Sequence, residues 1–162
     1  MKFGITPLDQ AEDAILAHST RLSERVFKKG HVLTVDDIKV MLAAGISEVT
    51  VARLEATDIP EDTAAERVSE AIAGVNVKVG SAFTGRCNLK ADAHGLITYD
   101  KSRLDQLNLI DETITVATLA PYDVVKPGQL IATIKIIPLA VSKNVLMQAE
   151  NMARSGGPII SI

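Results

Sequence analysis

Arg86 and Asn88 are the residues of this chain whose types and spacing best suit the binding of an anion. They follow Gly85 and are separated from each other by one residue. The planar guanidinium of an arginine matches the oxygens of a phosphate, so the pair is a candidate anion site. Lys135 is the one charge in an apolar run and must extend to solvent, pair with an acid such as Asp123, or face a ligand. A surface arginine, a turn asparagine and a solvent-facing lysine are the alternatives.

His18, Asp92 and His94 are candidate ligand-binding residues on weaker grounds. His18 lies near the end of a predicted strand, and His94 follows Asp92 at a distance of two residues. Because histidine titrates near neutrality, each imidazole is suited to acid–base chemistry, and simple hydrogen bonding is the alternative. Asp92 and His94 supply too few ligands for a metal ion.

The other reactive groups favour structural roles. Cys87 is the single cysteine, so an intrachain disulfide is excluded, and we interpret it as a small buried thiol. Lys28 and Lys29 are interpreted as a solvated turn. No pair of acids suits a magnesium ion, so we predict no catalytic residue and no metal site in this chain.

Composition narrows the classes of protein. The chain has 162 residues, a formal net charge of −3 and 3% aromatic residues, so neither a basic surface nor a stacking platform for nucleic acid is expected. No apolar run approaches the length of a membrane span, and the acidic N-terminal stretch does not resemble a signal peptide. We therefore predict a cytoplasmic protein without nucleic-acid or membrane partners.

The elements that must position these residues centre on a predicted hairpin. Two runs rich in β-branched residues, 113–120 and 129–141, flank a turn segment that contains Pro127 and Gly128. Both faces of the second run are largely apolar, so we expect this strand to be covered on both sides. The segment 81–93, which contains Arg86 and Asn88, is predicted to be irregular.

Helix signals complete the prediction. Thr34 with Asp37 forms a capping-box pattern, and Asp58, Asp100 and Ser142 each precede a further helix pattern. A short helix is also predicted over 7–14, and 23–30 is predicted to be a turn. We predict an α+β fold of short strands in small mixed sheets with four or five helices, in one domain or two lobes.

The predicted layout is a domain over residues 1–141, with sub-lobes 1–56 and 75–141 joined by a helix at 58–74. Residues 142–162 form a C-terminal helix and linker. An apolar end directly after a Gly-Gly-Pro segment favours a further domain beyond it, and a strand that pairs within this domain's own sheet is the alternative.

Four blocks carry a resemblance to a known family: residues 11–19, 28–54, 83–96 and 117–141, of which FTGRCNLKADAHGL and the KIIP strand are the most specific. They resemble the N-terminal region of bacterial molybdopterin-binding proteins, which are related to molybdopterin molybdenumtransferase and in some members are fused to a nucleotidyltransferase. In that family the pterin-phosphate site lies mainly in a following α/β domain.

The resemblance implies a domain that is non-catalytic, or only partly ligand-binding, in molybdenum cofactor biosynthesis. Its implied ligand is molybdopterin or the nucleotide adduct of molybdopterin, and its implied partner is a following catalytic domain that would supply any Mg²⁺. That domain would insert the metal or transfer a nucleotide. Whether this chain is an enzyme by itself is left open, and an independent activity is not expected.

Two further hypotheses remain open from the residues. Segment 28–54 is similar to small β-clip recognition modules, which would bind a sugar or a peptide and no pterin. Alternatively, an exposed strand edge at 158–162 pairs two copies of the chain into a homodimer.

Overall fold

The computed structural model describes residues 1–162 and confirms the α+β class, with four α-helices and many short strands. The chain divides into two compact units, Met1–Asp58 and Ile59–Ile162. None of its helices has the length and apolar character that crossing a bilayer requires.

The first unit contains five strands, a short 3-10 helix and one α-helix: β1 (Lys2–Pro7), the 3-10 helix (Leu8–Gln10), β2 (Ile15–Leu16), β3 (Thr20–Arg21), β4 (Val26–Phe27), α1 (Val35–Ala43) and β5 (Glu48–Arg53). β5 lies between β1 and β2 in an antiparallel sheet, and β3 pairs with β4. The core of this unit packs Leu16, Phe27, Leu33, Met41 and Val51 among other apolar residues.

Helix α1 begins as predicted. The Thr34 side chain accepts a hydrogen bond from the Asp37 backbone N–H, and the Asp37 carboxylate accepts one from the Thr34 N–H. The helix predicted over 7–14 is wrong: only Leu8–Gln10 is helical, and Asp13 further on has a positive φ of 58° that a right-handed helix does not allow. The predicted turn at 23–30 contains β4, which pairs with β3 through backbone bonds that a local pattern does not reveal.

The second unit contains ten strands and three helices: β6 (Asp58–Pro60), α2 (Glu61–Ile72), β7 (Val77–Val79), β8 (Arg86–Ala91), β9 (Gly95–Leu96), β10 (Thr98–Tyr99), α3 (Lys101–Asn108), β11 (Ile114–Thr118), β12 (Val124–Val125), β13 (Leu130–Ile136), β14 (Ala140–Ser142), α4 (Lys143–Arg154) and β15 (Ile160–Ser161). Its main sheet has the antiparallel order β11-β13-β8-β7. The predicted hairpin is therefore present as β11 and β13.

Only one face of this sheet is covered. Ala132, Ile134 and Ile136 of β13 are buried in a core that also contains the apolar faces of α2 and α4. Thr133 is half-buried and Lys135 is exposed, so the expectation that β13 is covered on both sides is wrong. The strand alternates inward and outward residues from position 132 onward, as a half-exposed strand does.

The segment 81–93 is more regular than its composition indicates, because it contains strand β8. Thr84 and Gly85 both have positive φ values, 51° and 70°, and form the tight turn that leads into the strand. Phe83 and Arg86 exchange backbone hydrogen bonds across this turn at 2.9 and 3.2 Å. The turn thereby brings residues 77–79 and 86–91 into one sheet.

Two of the three predicted helix caps in this part of the chain are confirmed. The side chains of Asp100 and Ser142 accept hydrogen bonds from Arg103 N–H and Val145 N–H. Asp58 is not a cap, because its carboxylate instead lies 2.7 Å from the N-terminal amino group of Met1. Pro60 precedes α2 without a capping side chain.

The C-terminal segment is part of the second unit. Ile159 and Ile160 are buried, and β15 pairs with β10 on one side while Ile160 bridges Ala73 on the other. The strand edge expected at 158–162 for dimer formation is therefore occupied. The sequence predicts α2 as a connector between two sub-lobes and α4 as part of a C-terminal helix and linker. Both helices contribute to the core of this unit.

Candidate functional site

Three of the candidate residues lie together on the open face of the main sheet. Arg86 of β8 lies directly opposite Lys135 of β13, and the neighbouring pair on the same face is Asn88 with Thr133. The Thr133 hydroxyl donates a 2.9 Å hydrogen bond to Oδ1 of Asn88. This bond orients the amide so that its NH₂ group, which has no protein partner, is free to donate to a ligand.

A second pair of like charges lies on this face, where Lys78 of β7 is directly opposite Lys90 of β8. We call the surface formed by Lys78, Arg86, Asn88, Lys90, Thr133 and Lys135 the cationic face. Its four basic side chains are exposed, and none of them makes an ion pair or a side-chain hydrogen bond. Like charges opposite each other destabilise a sheet, so this arrangement favours an anionic ligand over a purely structural role.

Gly85 fixes the start of strand β8 and so the position of Arg86. Its N–H donates a 2.7 Å hydrogen bond to Oδ1 of Asp62, and its carbonyl accepts a 2.7 Å bond from the N–H of Ile136. A Cβ atom at this position would lie 2.7 Å from the carbonyl oxygen of Ile136. The backbone beside Arg86 is thus held from both sides and leaves no space for a side chain.

The other candidates do not join this group. Asp92 is exposed and lines a cavity of about 410 Å³ that Lys78 and Lys90 also line. His94 lies between β8 and β9, and His18 lies in the first unit; both are exposed, and neither side chain makes a hydrogen bond or ion pair. No hydrogen bond or ion pair joins the side chains of Asp92 and His94.

Lys78 and Lys90 are not among the residues predicted for the site. The signal was present, because Arg86, Asn88 and Lys90 alternate with the buried residues Cys87, Leu89 and Ala91. Such alternation predicts a half-exposed strand with its polar residues on one side. The pairing of Lys78 with Lys90 could not be found in this way, since strand register depends on residues distant in the sequence.

A second polar cluster, in the first unit, was also missed. The buried carboxylate of Asp37 accepts a 2.7 Å hydrogen bond from Nε2 of His31, a 2.8 Å bond from the Thr34 hydroxyl and a 3.0 Å contact from Arg25. The Arg25 guanidinium lies over the Phe27 ring, 4.4 Å from its centroid. Burial acts to raise the pKa of Asp37, but the bonds from His31 and Thr34 outweigh it and lower the pKa to about 2.

Cys87 lies on the covered side of the sheet, as the prediction of a buried thiol requires. Its Sγ donates to the carbonyl oxygen of Gly80 at 3.1 Å, and burial raises the pKa of the thiol. No three His, Cys, Asp or Glu side chains form a group that could hold a metal ion. The chemistry offered by the cationic face is therefore electrostatic binding through guanidinium, ammonium and amide donors.

Comparison with known proteins adds one match. The family model described as "Domain of unknown function (DUF8806)" matches residues 5–53, which all lie in the first unit. No curated protein and no solved structure matches the chain.

Proposed function

We propose that this chain is a ligand-binding domain of molybdenum cofactor biosynthesis, and that Arg86, Asn88 and Lys135 of its cationic face hold the phosphate of molybdopterin or of the nucleotide adduct of molybdopterin. The observation that carries the proposal is the convergence of Arg86, Asn88 and Lys135 on one open sheet face. The resemblance of residues 83–96 and 117–141 to bacterial molybdopterin-binding proteins supplies the identity of the ligand, because these two blocks contain all three residues.

The charges fit a phosphate monoester. Such a group carries close to two negative charges near neutral pH, and Arg86 with Lys135 supplies two positive charges that lack acidic partners. The guanidinium can donate two parallel bonds to phosphate oxygens, while the ammonium acts as a point charge. The free NH₂ group of Asn88 can then donate to an acceptor on the adjoining ring system.

In this proposal the chain binds and a partner domain reacts. The cationic face has donors for an anion, and the thiol of Cys87 lies on the covered side of the sheet, away from that face. Metal insertion or nucleotide transfer would be carried out by the neighbouring catalytic domain, which would also hold the Mg²⁺ that compensates phosphate charge in such reactions.

Calorimetric titration of the chain with molybdopterin tests the proposal. We expect saturable binding that Arg86→Ala, Asn88→Ala and Lys135→Ala each weaken, by about tenfold for the two charged residues, because hydrogen bonds to charged groups contribute about 1.5 to 3 kcal/mol. Arg21→Ala is the matched control, since Arg21 is exposed and unpaired in a different unit. No heat of binding with a folded protein, or equal affinity in all variants, would rule out this site.

A second candidate function, assembly with another protein chain, is favoured by strand β1. β1 is an edge of its sheet, and its residues Phe3 and Ile5 are 60% and 69% exposed. Exposed apolar edge strands are templates for pairing with another chain. Sedimentation of the wild type and of Ile5→Lys at increasing concentration tests this; a monomer in both would remove it.

A further inference from the structure

The cavity beside Lys78 and Lys90 has the properties of a second, separate binding site. It encloses about 410 Å³, within the range of small-molecule pockets, and its wall includes the backbone of Gly80 and Gly128 as well as the side chain of Asp92. Two basic residues, Lys78 and Lys90, and one acidic residue, Asp92, line it, and the other lining residues are uncharged.

The three charged groups around this cavity are all unpaired. Neither lysine forms an ion pair with Asp92 or with any other acid, although all three side chains line the same space. The two ammonium groups therefore stay exposed to mutual repulsion across the strands β7 and β8. An anion placed between Lys78 and Lys90 would remove this repulsion.

The carboxylate of Asp92 makes the site asymmetric. It repels a phosphate that comes close, but it accepts hydrogen bonds from hydroxyl groups. A ligand that satisfies all three side chains must therefore carry an anion at one end and hydrogen-bond donors at the other. Val79 and Ala91 also contribute to the lining of the cavity, although the side chain of Ala91 is buried in the core.

The walls of the cavity are fixed by backbone hydrogen bonds. The N–H groups of Gly80, Asp92 and Gly128 donate to the carbonyl oxygens of Asn88, Asn76 and Ala91 at 2.9, 2.8 and 2.8 Å, respectively. A preformed site loses little conformational freedom when a ligand binds. The backbone amides of Gly80 and Gly128 are also sensitive reporters because they lie in the wall itself.

We propose that this cavity binds a phosphate monoester that carries hydroxyl groups, the chemistry shared by sugar phosphates and nucleoside monophosphates. The site is separate from the Arg86–Lys135 pair, because the four residue steps from Arg86 to Lys90 along β8 span about 13 Å, too far for one phosphate to bridge. The proposal goes beyond the proposed function and does not depend on pterin binding.

Titration of ¹⁵N-labelled protein, followed by amide NMR spectra, tests the site. The probes are ribose 5-phosphate, a nucleoside 5′-monophosphate, inorganic phosphate and ribose. We expect saturable shifts of the Gly80, Asp92 and Gly128 amides with at least one of the two organic phosphates, weaker shifts with inorganic phosphate, and none with ribose. The first two probes distinguish a sugar-phosphate site from a nucleotide site.

Variants assign the contacts. Lys78→Ala and Lys90→Ala are each expected to weaken binding about tenfold, while Lys143→Ala, which removes an exposed lysine on α4, leaves it unchanged. Asp92→Asn is expected to reduce the preference for the organic phosphate over inorganic phosphate. Removal of either lysine relieves like-charge repulsion, so these variants should remain folded.

Three results would overturn the proposal: no saturable shift at the three amides, equal affinity for inorganic phosphate and both organic phosphates, or binding that persists in both lysine variants. The position of the shifts separates this test from that of the proposed function. Shifts confined to amides near Arg86 and Lys135 would support the anion site there and reject the cavity.

Discussion

Arg86 and Lys135 lie directly opposite each other on neighbouring antiparallel strands, and neither side chain has an acidic partner. Most surface cations contribute little to stability, but a directly opposed pair of like charges costs free energy that an acid at either position would recover. The same holds for Lys78 and Lys90. Two such pairs on one face do not serve stability, and ligand binding is the role that we propose for their charge.

Replacing one member of the first pair should therefore stabilise the fold and remove the binding site. We expect Lys135→Glu to raise the free energy of unfolding by about 0.5 to 1 kcal/mol, since a cross-strand ion pair with Arg86 replaces a repulsion. Urea denaturation followed by circular dichroism measures the change. Lys28→Glu, at an exposed and unpaired lysine of the first unit, should have almost no effect. A destabilised Lys135→Glu protein would contradict the electrostatic interpretation.

The carboxylate of Asp37 should make the first unit sensitive to acid. Burial opposes its ionisation, but bonds from His31 and Thr34 lower its pKa from 3.8 to about 2. A lowered folded-state pKa gives stability that is present above about pH 4 and is lost as the pH falls through about 2. We expect this contribution to be about 1 to 2 kcal/mol, measured by amide hydrogen exchange of α1 at decreasing pH.

Asp37→Asn should remove that pH dependence and also weaken the cap of α1, at a cost of about 2 kcal/mol near neutral pH. Asp36→Asn is the matched control, because Asp36 is an exposed acid in the same first turn that pairs only with Lys39. If the amides of α1 lose protection against hydrogen exchange equally in both variants, the buried hydrogen-bond network around Asp37 does not hold the helix.

The ion pair between Arg67 and Glu150 should stabilise the packing of α2 against α4. Arg67 donates two bonds to the buried Glu150 carboxylate, at 3.0 and 2.6 Å. Arg67→Met leaves that buried carboxylate without its main partner, so we expect a loss of about 2 kcal/mol in the free energy of unfolding. Arg154→Ala should cost less than about 0.5 kcal/mol, because its guanidinium is exposed and lies 3.7 Å from the same carboxylate. Similar losses in both variants, measured by urea denaturation, would show that the short bidentate contact has no special role.

Local chemistry allowed parts of this fold to be predicted, and long-range pairing limited the rest. Thr34, Asp100 and Ser142 cap helices because each side chain reaches a backbone N–H only three residues away. The Gly and Asn content of segment 81–93 is typical of turns and predicts an irregular segment, yet β8 forms there through bonds to β7 and β13. Arg86, Asn88 and Lys135 were identified by residue type, whereas their convergence depends on the register of β8 against β13.

Gly85 is where the fold and the candidate site can be tested together. Its φ of +70° disfavours any side chain, and a Cβ atom would lie 2.7 Å from the carbonyl oxygen of Ile136, the last residue of strand β13. We expect Gly85→Ala to cost about 2 to 3 kcal/mol, because steric displacement adds to the conformational penalty of about 1 kcal/mol. Gly30→Ala separates the two effects, since Gly30 has a φ of +84° with no atom within 4 Å of the added Cβ, and it should cost only about 1 kcal/mol.

Because Arg86 follows Gly85 directly, the Gly85→Ala protein should also bind molybdopterin more weakly than the Gly30→Ala protein under conditions in which both are folded. Equal affinities would mean that the turn does not position the arginine for the ligand.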